Sequence, residues 1–290
     1  MKILVLGASG MLGNAVIRVL AQEARYEVTG SARSPWVKKY FDPKLADRIV
    51  TGVDVENADA LTKLFVEVQP EVVVNCVGLV KQLTEANDPL FALPINALLP
   101  HRLARLCELV KARLVHISTD CVFSGRKGCY MESDEADALD LYGRSKLLGE
   151  VDYPHAVTLR TSIIGHELNS AHGLIDWFLA QEGGIKGYTR AFFSGLPTCE
   201  LARVIRDLVL PHPELHGVYH VAAEPISKYE LLQLVNQEYD KGLKIEPDDQ
   251  LKIDRSLHAR RFQEATGYQA SPWPQLVAQM RAFQQGEQVV

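Results

Sequence analysis

Tyr142 and Lys146 are separated by three residues in the segment Tyr142-Gly143-Arg144-Ser145-Lys146. Residues at this spacing lie on one face of a helix, so a phenol and an ammonium group come together. A phenol has a pKa near 10, and a cation about 4 Å away would lower that pKa by roughly three units. The pair is therefore typical of a general acid that protonates a carbonyl oxygen. A half-buried tyrosine beside a solvated lysine is the structural alternative.

Thr119 and Asp120 follow the predicted strand 113–118 and are the other candidate catalytic residues. A hydroxyl at the carboxyl end of a parallel strand can donate a hydrogen bond to a substrate carbonyl. Thr119 is therefore predicted to polarise the carbonyl that Tyr142 protonates. A turn or a helix cap is the structural alternative for both residues.

A G-x-x-G-x-x-G pattern lies at the start of the chain, between an apolar segment and a helical one. Gly7 permits a tight turn, Gly10 lets a pyrophosphate approach the backbone, and Gly13 allows a helix to pack closely on the sheet. The helix start adds free N–H groups and the positive end of the helix dipole. The candidate cofactor contacts in this turn are Gly7, Ser9, Gly10, Met11, Leu12 and Gly13.

The residues after the second and third predicted strands bear on the choice of cofactor. An acidic residue after the second strand would favour NAD, whereas Arg33 stands there and suits the 2′-phosphate of NADP(H). A solvated surface charge is the alternative for Arg33. Asp54 and Val55 follow the third strand and are also assigned to the cofactor site. Asp54 either accepts a hydrogen bond from the adenine amine or caps the helix that begins near Asn57.

Alternating β-branched and amphipathic segments predict an α/β fold: a Rossmann-type doubly wound parallel sheet with helices on both faces. Continuously apolar segments such as 3–6 and 72–74 suit strands buried on both faces. The predicted strands span residues 2–6, 27–31, 48–52, 72–76, 113–118 and 157–160. The predicted helices span residues 11–22, 57–68, 89–111, 142–151, 201–210, 228–238 and 271–285.

The alternation weakens after about residue 161, where glycine and proline become frequent. The sequence predicts an NADP-binding Rossmann domain over residues 1–160 and a smaller C-terminal substrate-binding lobe over residues 161–290. The lobe is expected to interleave with the sheet, with an approximate boundary. A length of 290 residues fits two units of roughly 150 residues each.

The composition excludes several classes of protein. A chain with 47% hydrophobic and 23% charged residues is not globally disordered, and a formal net charge of -5 gives no reason to expect nucleic acid. No apolar segment approaches the roughly 18 residues that span a membrane. The 5 cysteines form no C-x-x-C pattern, so a cytoplasmic protein with reduced thiols and without a metal site is predicted.

Taken together, these segments resemble the extended short-chain dehydrogenase/reductases and, within them, the dTDP-4-dehydrorhamnose reductase family. The resemblance covers nearly the whole chain, and its most specific part is the stretch S-T-D-x-V-F-x-G over residues 118–125. The other matching segments are 7–13, 75–78, 142–150, 159–161, 217–221 and 226–230.

The resemblance implies that NADPH reduces the C4 ketone of a nucleotide-linked 4-keto-6-deoxyhexose. Tyr142 would protonate the alkoxide, and Thr119 would bind the carbonyl oxygen. Lys146 would lower the pKa of Tyr142 and hold the nicotinamide ribose, so Tyr142 and Lys146 also count as cofactor contacts. By matching position, the remaining cofactor contacts would be Cys76, Val77 and Gly78.

Departures from the family pattern leave the nucleotide and the sugar open. Cys121 stands where the family often has tyrosine, and the pair Asp120-Cys121 lacks the second carboxylate of dehydrating relatives, which disfavours dehydration. Two alternatives to the reductase stay open: a nucleotide-sugar epimerase that retains its cofactor, and a nucleotide-binding regulatory subunit without catalysis. The oligomeric state is also open, a homodimer being a common arrangement of soluble enzymes.

Overall fold

The computed structural model describes residues 1–81 and 84–286 of the chain. Its strands in chain order are β1 Lys2–Leu6, β2 Glu27–Ala32, β3 Ile49–Thr51, β4 Val72–Asn75, β5 Arg113–Thr119, β6 Ala156–Thr161, β7 Ile163–Ile164, β8 Gly184–Tyr188, β9 Ala191–Phe193, β10 Leu196–Pro197, β11 Gly217–His220, β12 Ile226–Ser227, β13 Lys244–Asp248 and β14 Ile253–Asp254. Its α-helices are α1 Met11–Leu20, α2 Pro43–Ala46, α3 Ala58–Val68, α4 Pro89–Ala92, α5 Leu99–Val110, α6 Leu141–Leu148, α7 Leu174–Leu179, α8 Thr198–Val204, α9 Lys228–Glu238, α10 Arg260–Thr266 and α11 Trp273–Gln284.

The main sheet has 7 strands in the order β11-β6-β5-β4-β1-β2-β3. Every neighbouring pair is parallel. The strand order reverses between β1 and β4, which is the point where α/β folds of this kind bind their ligands. The predicted fold class, a doubly wound parallel α/β sheet, is confirmed.

Both faces of this sheet are covered by apolar side chains, which explains the continuous apolar pattern of its central strands. In β1, Ile3 and Val5 belong to one buried cluster that includes residues of α1, α8 and α11. Leu4 and Leu6 belong to a second cluster, with residues of α3 and α5. Successive side chains of a strand point to opposite faces, so β1 contributes to the core on both sides.

The prediction of a single continuous helix over residues 89–111 is wrong. It is interrupted by a π-helical segment, Leu93–Leu98, between α4 and α5. Pro100 has no N–H to donate to the carbonyl of Asn96 one turn earlier, so the regular pattern cannot continue there. That carbonyl instead lies against Gly149, where a Cβ would stand only 2.0 Å from its oxygen. The irregular segment is therefore packed on the end of α6.

Several predicted boundaries also differ from the structure. The predicted helix over 201–210 begins earlier as α8 and continues as a second π-helical segment, Ile205–Val209. The strand β11 was not among the predicted strands, and it joins the sheet beside β6. The sheet thus draws on both parts of the chain, and the division at residue 160 stays a prediction.

The C-terminal part of the chain forms smaller sheets, with the orders β12-β9-β14 and β13-β8. A third apolar cluster joins this part to the loop after β5, with Phe123 stacked on Tyr130 at a centroid distance of 4.1 Å. Backbone hydrogen bonds connect the same loop to β14 and the residues after it. None of the helices in residues 1–81 and 84–286 has the length and apolar character that a membrane span requires.

Candidate active site

The carboxyl ends of β1, β2, β3, β4 and β5 lie along one edge of the main sheet, because these strands are parallel. The candidate residues other than Tyr142 and Lys146 lie at the ends of these strands or in the segments that follow them. The glycine turn follows β1 and the Thr119–Asp120 pair ends β5. The helix α6, with Tyr142 and Lys146, packs next to this edge. Ligands of doubly wound sheets bind at this position.

The turn between β1 and α1 is shaped for close contact with a ligand. Gly7 has φ +87°, which side chains other than glycine rarely adopt. A Cβ on Gly13 would lie 2.0 Å from the carbonyl oxygen of Gly7. A Cβ on Gly10 would meet nothing closer than 3.4 Å, and Gly10 is exposed. Backbone geometry and packing therefore explain why positions 7 and 13 require glycine, but they do not explain glycine at position 10. The exposed surface of Gly10 fits the approach of a phosphate.

The other residues of this turn divide into accessible and buried ones. Ser9 and Met11 are partly accessible, whereas the side chain of Leu12 belongs to the apolar core. Leu12 therefore offers a ligand only its backbone. Within the described chain no side chain caps α1 at Gly10, which leaves N–H groups of its first turn free for an anion.

The contrast between Gly10 and Gly13 yields a first prediction. Gly10→Ala is expected to change the free energy of unfolding by no more than about 1 kcal/mol. The added methyl group at the phosphate approach should nevertheless raise the Kd for NADPH by roughly 5- to 150-fold. Gly13→Ala, by contrast, should destabilise the fold by about 1–3 kcal/mol through overpacking. Chemical denaturation measures the free energy of unfolding, and fluorescence titration with NADPH measures the Kd. If Gly10→Ala bound NADPH as tightly as the unmodified protein, the pyrophosphate would not bind at this turn.

The residues assigned to the adenosine end of the cofactor lie at the ends of β2 and β3. Arg33 is exposed directly after β2, so its guanidinium is accessible to a ligand. Asp54 is exposed, and its carboxylate accepts a hydrogen bond from the N–H of Glu56 at 3.0 Å. Asn57, not Asp54, caps α3, so the capping alternative for Asp54 is wrong. The Val55 side chain packs in the core under α3.

The loop after β4 contains Cys76, Val77 and Gly78 and passes over α6. A Cβ on Gly78 would lie 3.8 Å from the Nζ of Lys146, so this loop and the lysine border the same space. The Asn96 amide holds the loop through both the N–H and the carbonyl of Leu79, at 2.9 and 3.3 Å. It also donates to the Ser145 hydroxyl at 3.2 Å. The π-helical segment thus fixes the loop relative to the helix of Tyr142.

Asp140 caps α6 and places Tyr142 in its first turn. Its carboxylate accepts a hydrogen bond from the N–H of Gly143 at 2.8 Å and one from Lys81 at 2.5 Å. A Cβ on Gly143 would stand 2.2 Å from the carbonyl oxygen of Cys121. The helix start therefore packs tightly on the loop after β5, which brings Tyr142 next to Thr119.

Lys146 is 5% exposed and donates a hydrogen bond to the carbonyl of Ile117 at 2.8 Å. Burial lowers the pKa of Lys146 to about 8, against the opposing effect of the Glu150 carboxylate. The ammonium is thus held beneath the loop of Cys76–Gly78 by the backbone of β5.

Burial raises the pKa of Tyr142, with Cys121 and Asp120 acting in the same direction. The Thr119 side chain lowers this pKa. The expectation that Lys146 lowers the pKa of Tyr142 stays a prediction, and the Lys146 ammonium bonds to the backbone carbonyl of Ile117. The phenol stays protonated at neutral pH, which suits a proton donor.

Thr119 and Asp120 are both 8% exposed. The Thr119 hydroxyl accepts a hydrogen bond from the N–H of Cys121 at 3.2 Å and donates one to Asp120 at 3.2 Å. Burial raises the pKa of the Asp120 carboxyl, and Arg255 is the first of the groups that oppose this rise. Burial also raises the pKa of the Cys121 thiol to about 12, which disfavours the reactive thiolate form.

A buried ion pair lies one helical turn beyond Lys146. Arg160 of β6 donates to Glu150 through Nε at 2.7 Å and Nη2 at 2.6 Å, and both side chains are 7% exposed. Ser118 donates to the same carboxylate at 2.7 Å, and Arg160 also contacts His220 of β11 at 3.3 Å. The end of α6 is therefore tied to β5, β6 and β11.

The sequence interpretation missed Lys81, Asn96 and the capping role of Asp140. An N-cap residue two positions before Tyr142 was a recognisable signal for Asp140. Lys81 and Asn96 reach the site only through the loop after β4 and the irregular helix, which no local pattern indicates.

Comparison with known proteins identifies the family. The family model described as "RmlD substrate binding domain" matches residues 1–281. A probable low-salt glycan biosynthesis reductase of Haloferax volcanii is 33% identical over 55% of this chain and 52% of its own length. A dTDP-4-dehydrorhamnose reductase of Mycobacterium tuberculosis is 32% identical over 56% and 49%. The chain thus spans about half the length of these relatives.

Two other matches cover a larger part of this chain. Methionine adenosyltransferase 2 subunit beta of Danio rerio is 30% identical over 79% of this chain and 71% of its own length. The crystal structure of a Bacillus anthracis dTDP-4-dehydrorhamnose reductase in complex with NADP has a TM-score of 0.78 at 22% identity, covering 98% of this chain and 99% of that one. At that identity the structural likeness establishes the fold alone. The family match over residues 1–281 goes further: the chain belongs to the RmlD substrate binding domain family.

Proposed function

We propose that the protein is an NADPH-dependent reductase of a nucleotide-linked 4-keto-6-deoxy sugar, similar to dTDP-4-dehydrorhamnose reductase. The observation that carries this proposal is the arrangement of three side chains. Thr119 ends β5, Tyr142 lies in the first turn of α6, which packs on the loop after β5, and the buried ammonium of Lys146 bonds to the Ile117 carbonyl of β5. These groups lie at the edge of the sheet where the glycine turn also opens. Family membership and the reductase relatives support the same chemistry.

In the proposed reaction, the substrate carbonyl oxygen lies next to Tyr142 and Thr119. Thr119 holds the oxygen, and Tyr142 transfers its phenolic proton to that oxygen as a hydride reaches C4. The high pKa of Tyr142 keeps the proton on the phenol until negative charge develops on the substrate. Lys146 provides a fixed positive charge beside the cofactor loop.

The residues of this chain fit NADP(H). The uncapped start of α1 and the exposed Gly10 fit a pyrophosphate, and the accessible guanidinium of Arg33 fits a 2′-phosphate. Gly78 and Lys146 border the space expected for the nicotinamide ribose. When bound, NADPH supplies the hydride.

The proposal is tested by the loss of NADPH absorbance with dTDP- and UDP-linked 4-keto-6-deoxy sugars. Stoichiometric oxidation with one of these substrates is the expected result, and it also assigns the nucleotide. Tight NADPH binding without any oxidation would reject the reductase in favour of an epimerase or a subunit without catalysis.

Arg33→Asp is expected to reverse the preference between the two nicotinamide cofactors. Loss of charge-assisted hydrogen bonds to a phosphate should raise the KM for NADPH by about 10- to 100-fold, while NADH is used equally well or better. The measurement is kcat/KM for both cofactors. Lys44→Asp, an equal charge change at an exposed site on α2, serves as the control. If the ratio of kcat/KM for NADPH to that for NADH were the same in Arg33→Asp as in the unmodified protein, Arg33 would not bind the 2′-phosphate.

A regulatory subunit is the second candidate function, and a specific observation favours it. A relative that is 30% identical over 79% of this chain is named as a subunit of methionine adenosyltransferase. Such a role needs nucleotide binding but not proton transfer. The retained Thr119, Tyr142 and Lys146 favour the reductase, and the absorbance measurement separates the two functions.

A further inference from the structure

His116 lies in the main sheet between two parts of the candidate cofactor site. It belongs to β5 and is paired in register with Asn75, the last residue of β4. Both residues are buried, with 0% and 1% of their surface exposed. The next residue of β5, Ile117, accepts the hydrogen bond of the Lys146 ammonium. His116 is therefore adjacent to the backbone that holds Lys146 and to the strand that leads into the loop after β4.

The amide of Asn75 connects the His116 ring to that loop. Its Oδ1 accepts a hydrogen bond from the N–H of Val77 at 3.1 Å, and its Nδ2 lies 3.1 Å from Nδ1 of His116. The bond to Val77 fixes the orientation of the amide, because a reversed amide would turn its NH2 group toward another donor. Nδ2 only donates, so Nδ1 of His116 is the acceptor. A neutral imidazole with an accepting Nδ1 carries its proton on Nε2.

The surroundings of His116 keep its imidazole neutral. Burial lowers the pKa of His116 well below its usual value, and Lys146 and His101 act in the same direction. Within residues 1–81 and 84–286, Nε2 of His116 has no hydrogen-bond partner. A buried unpaired N–H is unfavourable, but moving the proton to Nδ1 would set two donors against each other at Asn75. The contact with Asn75 therefore decides which nitrogen of the ring carries the proton.

Amide side chains anchor the loop after β4 at both ends. Asn75 anchors the first end through the N–H of Val77. Asn96 anchors the second end through the N–H and the carbonyl of Leu79. Asn96 is in turn bonded to α6, and Asn75 is bonded to β5. The loop is thus tied to the two elements that contain the candidate catalytic side chains.

A buried pair that only stabilises the sheet is the alternative. That alternative explains the contact between Asn75 and His116, but not why the other end of the amide bonds to a loop residue beyond the strand. We propose that His116 is a positioning residue: by accepting a hydrogen bond from Asn75, it holds the amide that fixes the loop after β4 for cofactor binding. The proposal rests on the proposed function only in taking NADP(H) as the ligand of this loop.

Two substitutions of His116 test this role. His116→Leu removes the acceptor and leaves an N–H of the Asn75 amide without a partner. His116→Asn provides an amide oxygen in place of Nδ1 and is the conservative variant. The matched control is Thr158→Val. Thr158 of β6 is paired with His116 on the side away from Asn75, is 0% exposed, and bonds to the backbone of Val151.

Fluorescence titration with NADPH and chemical denaturation are carried out on the full chain. His116→Leu should raise the Kd for NADPH by about 5- to 100-fold, because the freed Asn75 amide no longer holds the loop. His116→Asn should stay within about threefold of the unmodified protein. Thr158→Val also removes a buried hydrogen bond and should lower the denaturation midpoint, but its Kd should change by less than about twofold.

The tautomer of His116 is measured in the unmodified protein. Long-range proton–nitrogen NMR correlations, assigned with the help of His116→Asn, distinguish a protonated Nε2 from a protonated Nδ1. We expect a neutral ring with its proton on Nε2. We also expect the Nδ1 resonance to shift when NADPH binds, since Asn75 connects the ring to the loop. This measurement decides the proposal if His116→Leu does not fold.

A proton on Nδ1, or a resonance that NADPH leaves unchanged, would overturn the role of His116. The same holds for an unchanged Kd in folded His116→Leu, and for a rise of the Kd in His116→Asn or Thr158→Val equal to that in His116→Leu. Binding of NADPH without its oxidation rejects the reductase but leaves these results on His116 intact. If the unmodified protein does not bind NADPH, the proposed function and the positioning role both fail.

Discussion

Tyr142→Phe is expected to lower kcat by about 10²- to 10⁴-fold, the usual contribution of a general acid. The variant loses the phenolic proton but keeps the aromatic ring. Binding of NADPH should therefore change little, because the glycine turn, Arg33 and Lys146 are untouched. Steady-state kinetics and a fluorescence titration with NADPH separate the two effects.

Tyr153→Phe is the matched control for Tyr142→Phe, since its hydroxyl bonds His101 at 3.1 Å and takes no part in the proposed reaction. It should retain the kcat of the unmodified protein. Turnover retained by Tyr142→Phe would exclude this phenol as the proton donor. Loss of both turnover and NADPH binding would indicate a disturbed fold instead of a missing proton.

Glu150→Leu is expected to destabilise the protein by about 3–5 kcal/mol, the largest stability change predicted for a single side chain of this site. The substitution leaves the Arg160 guanidinium buried without its carboxylate, and Ser118 loses its acceptor. Adding Arg160→Met to the same chain removes the uncompensated charge. The double variant should therefore be more stable than Glu150→Leu alone. Chemical denaturation gives both free energies of unfolding.

Glu67→Leu serves as the comparison for this prediction. Glu67 pairs with Lys63 on the exposed face of α3 at 3.8 Å, with 51% of its side chain exposed. Its removal should change the free energy of unfolding by less than about 1 kcal/mol. If Glu150→Leu cost no more than Glu67→Leu, the buried pair would not hold α6 against the sheet.

The sequence predicted the sheet and the placement of Tyr142 and Lys146 on one helix because both depend on local patterns. The apolar segment of β1 and the glycines after it specify a strand, a turn and a helix within a short stretch of chain. Tyr142 and Lys146 needed only the helical spacing of α6. Gly7 and Gly13 also have the packing reasons that were expected.

Other features depend on contacts between distant parts of the chain. Residues 217–220 lack the continuous apolar pattern that predicted the central strands. They form β11 because they pair with β6. The position of the Lys146 ammonium depends on its bond to the Ile117 carbonyl, which no spacing rule contains. Arg255 reaches the Phe123 carbonyl only after the C-terminal part folds onto the loop that follows β5.

The position of β11 has a consequence for how the chain is made. All residues of β6 are buried in the finished protein, but on the ribosome β6 is synthesised well before the strand that covers its outer edge. At the usual 5–20 residues per second, the intervening chain takes roughly 3–11 s to emerge. During that time the outer edge of β6 presents unpaired N–H and C=O groups to other nascent chains. The growing polypeptide is therefore most prone to aggregate in this interval, and chaperones would be of greatest use to it then.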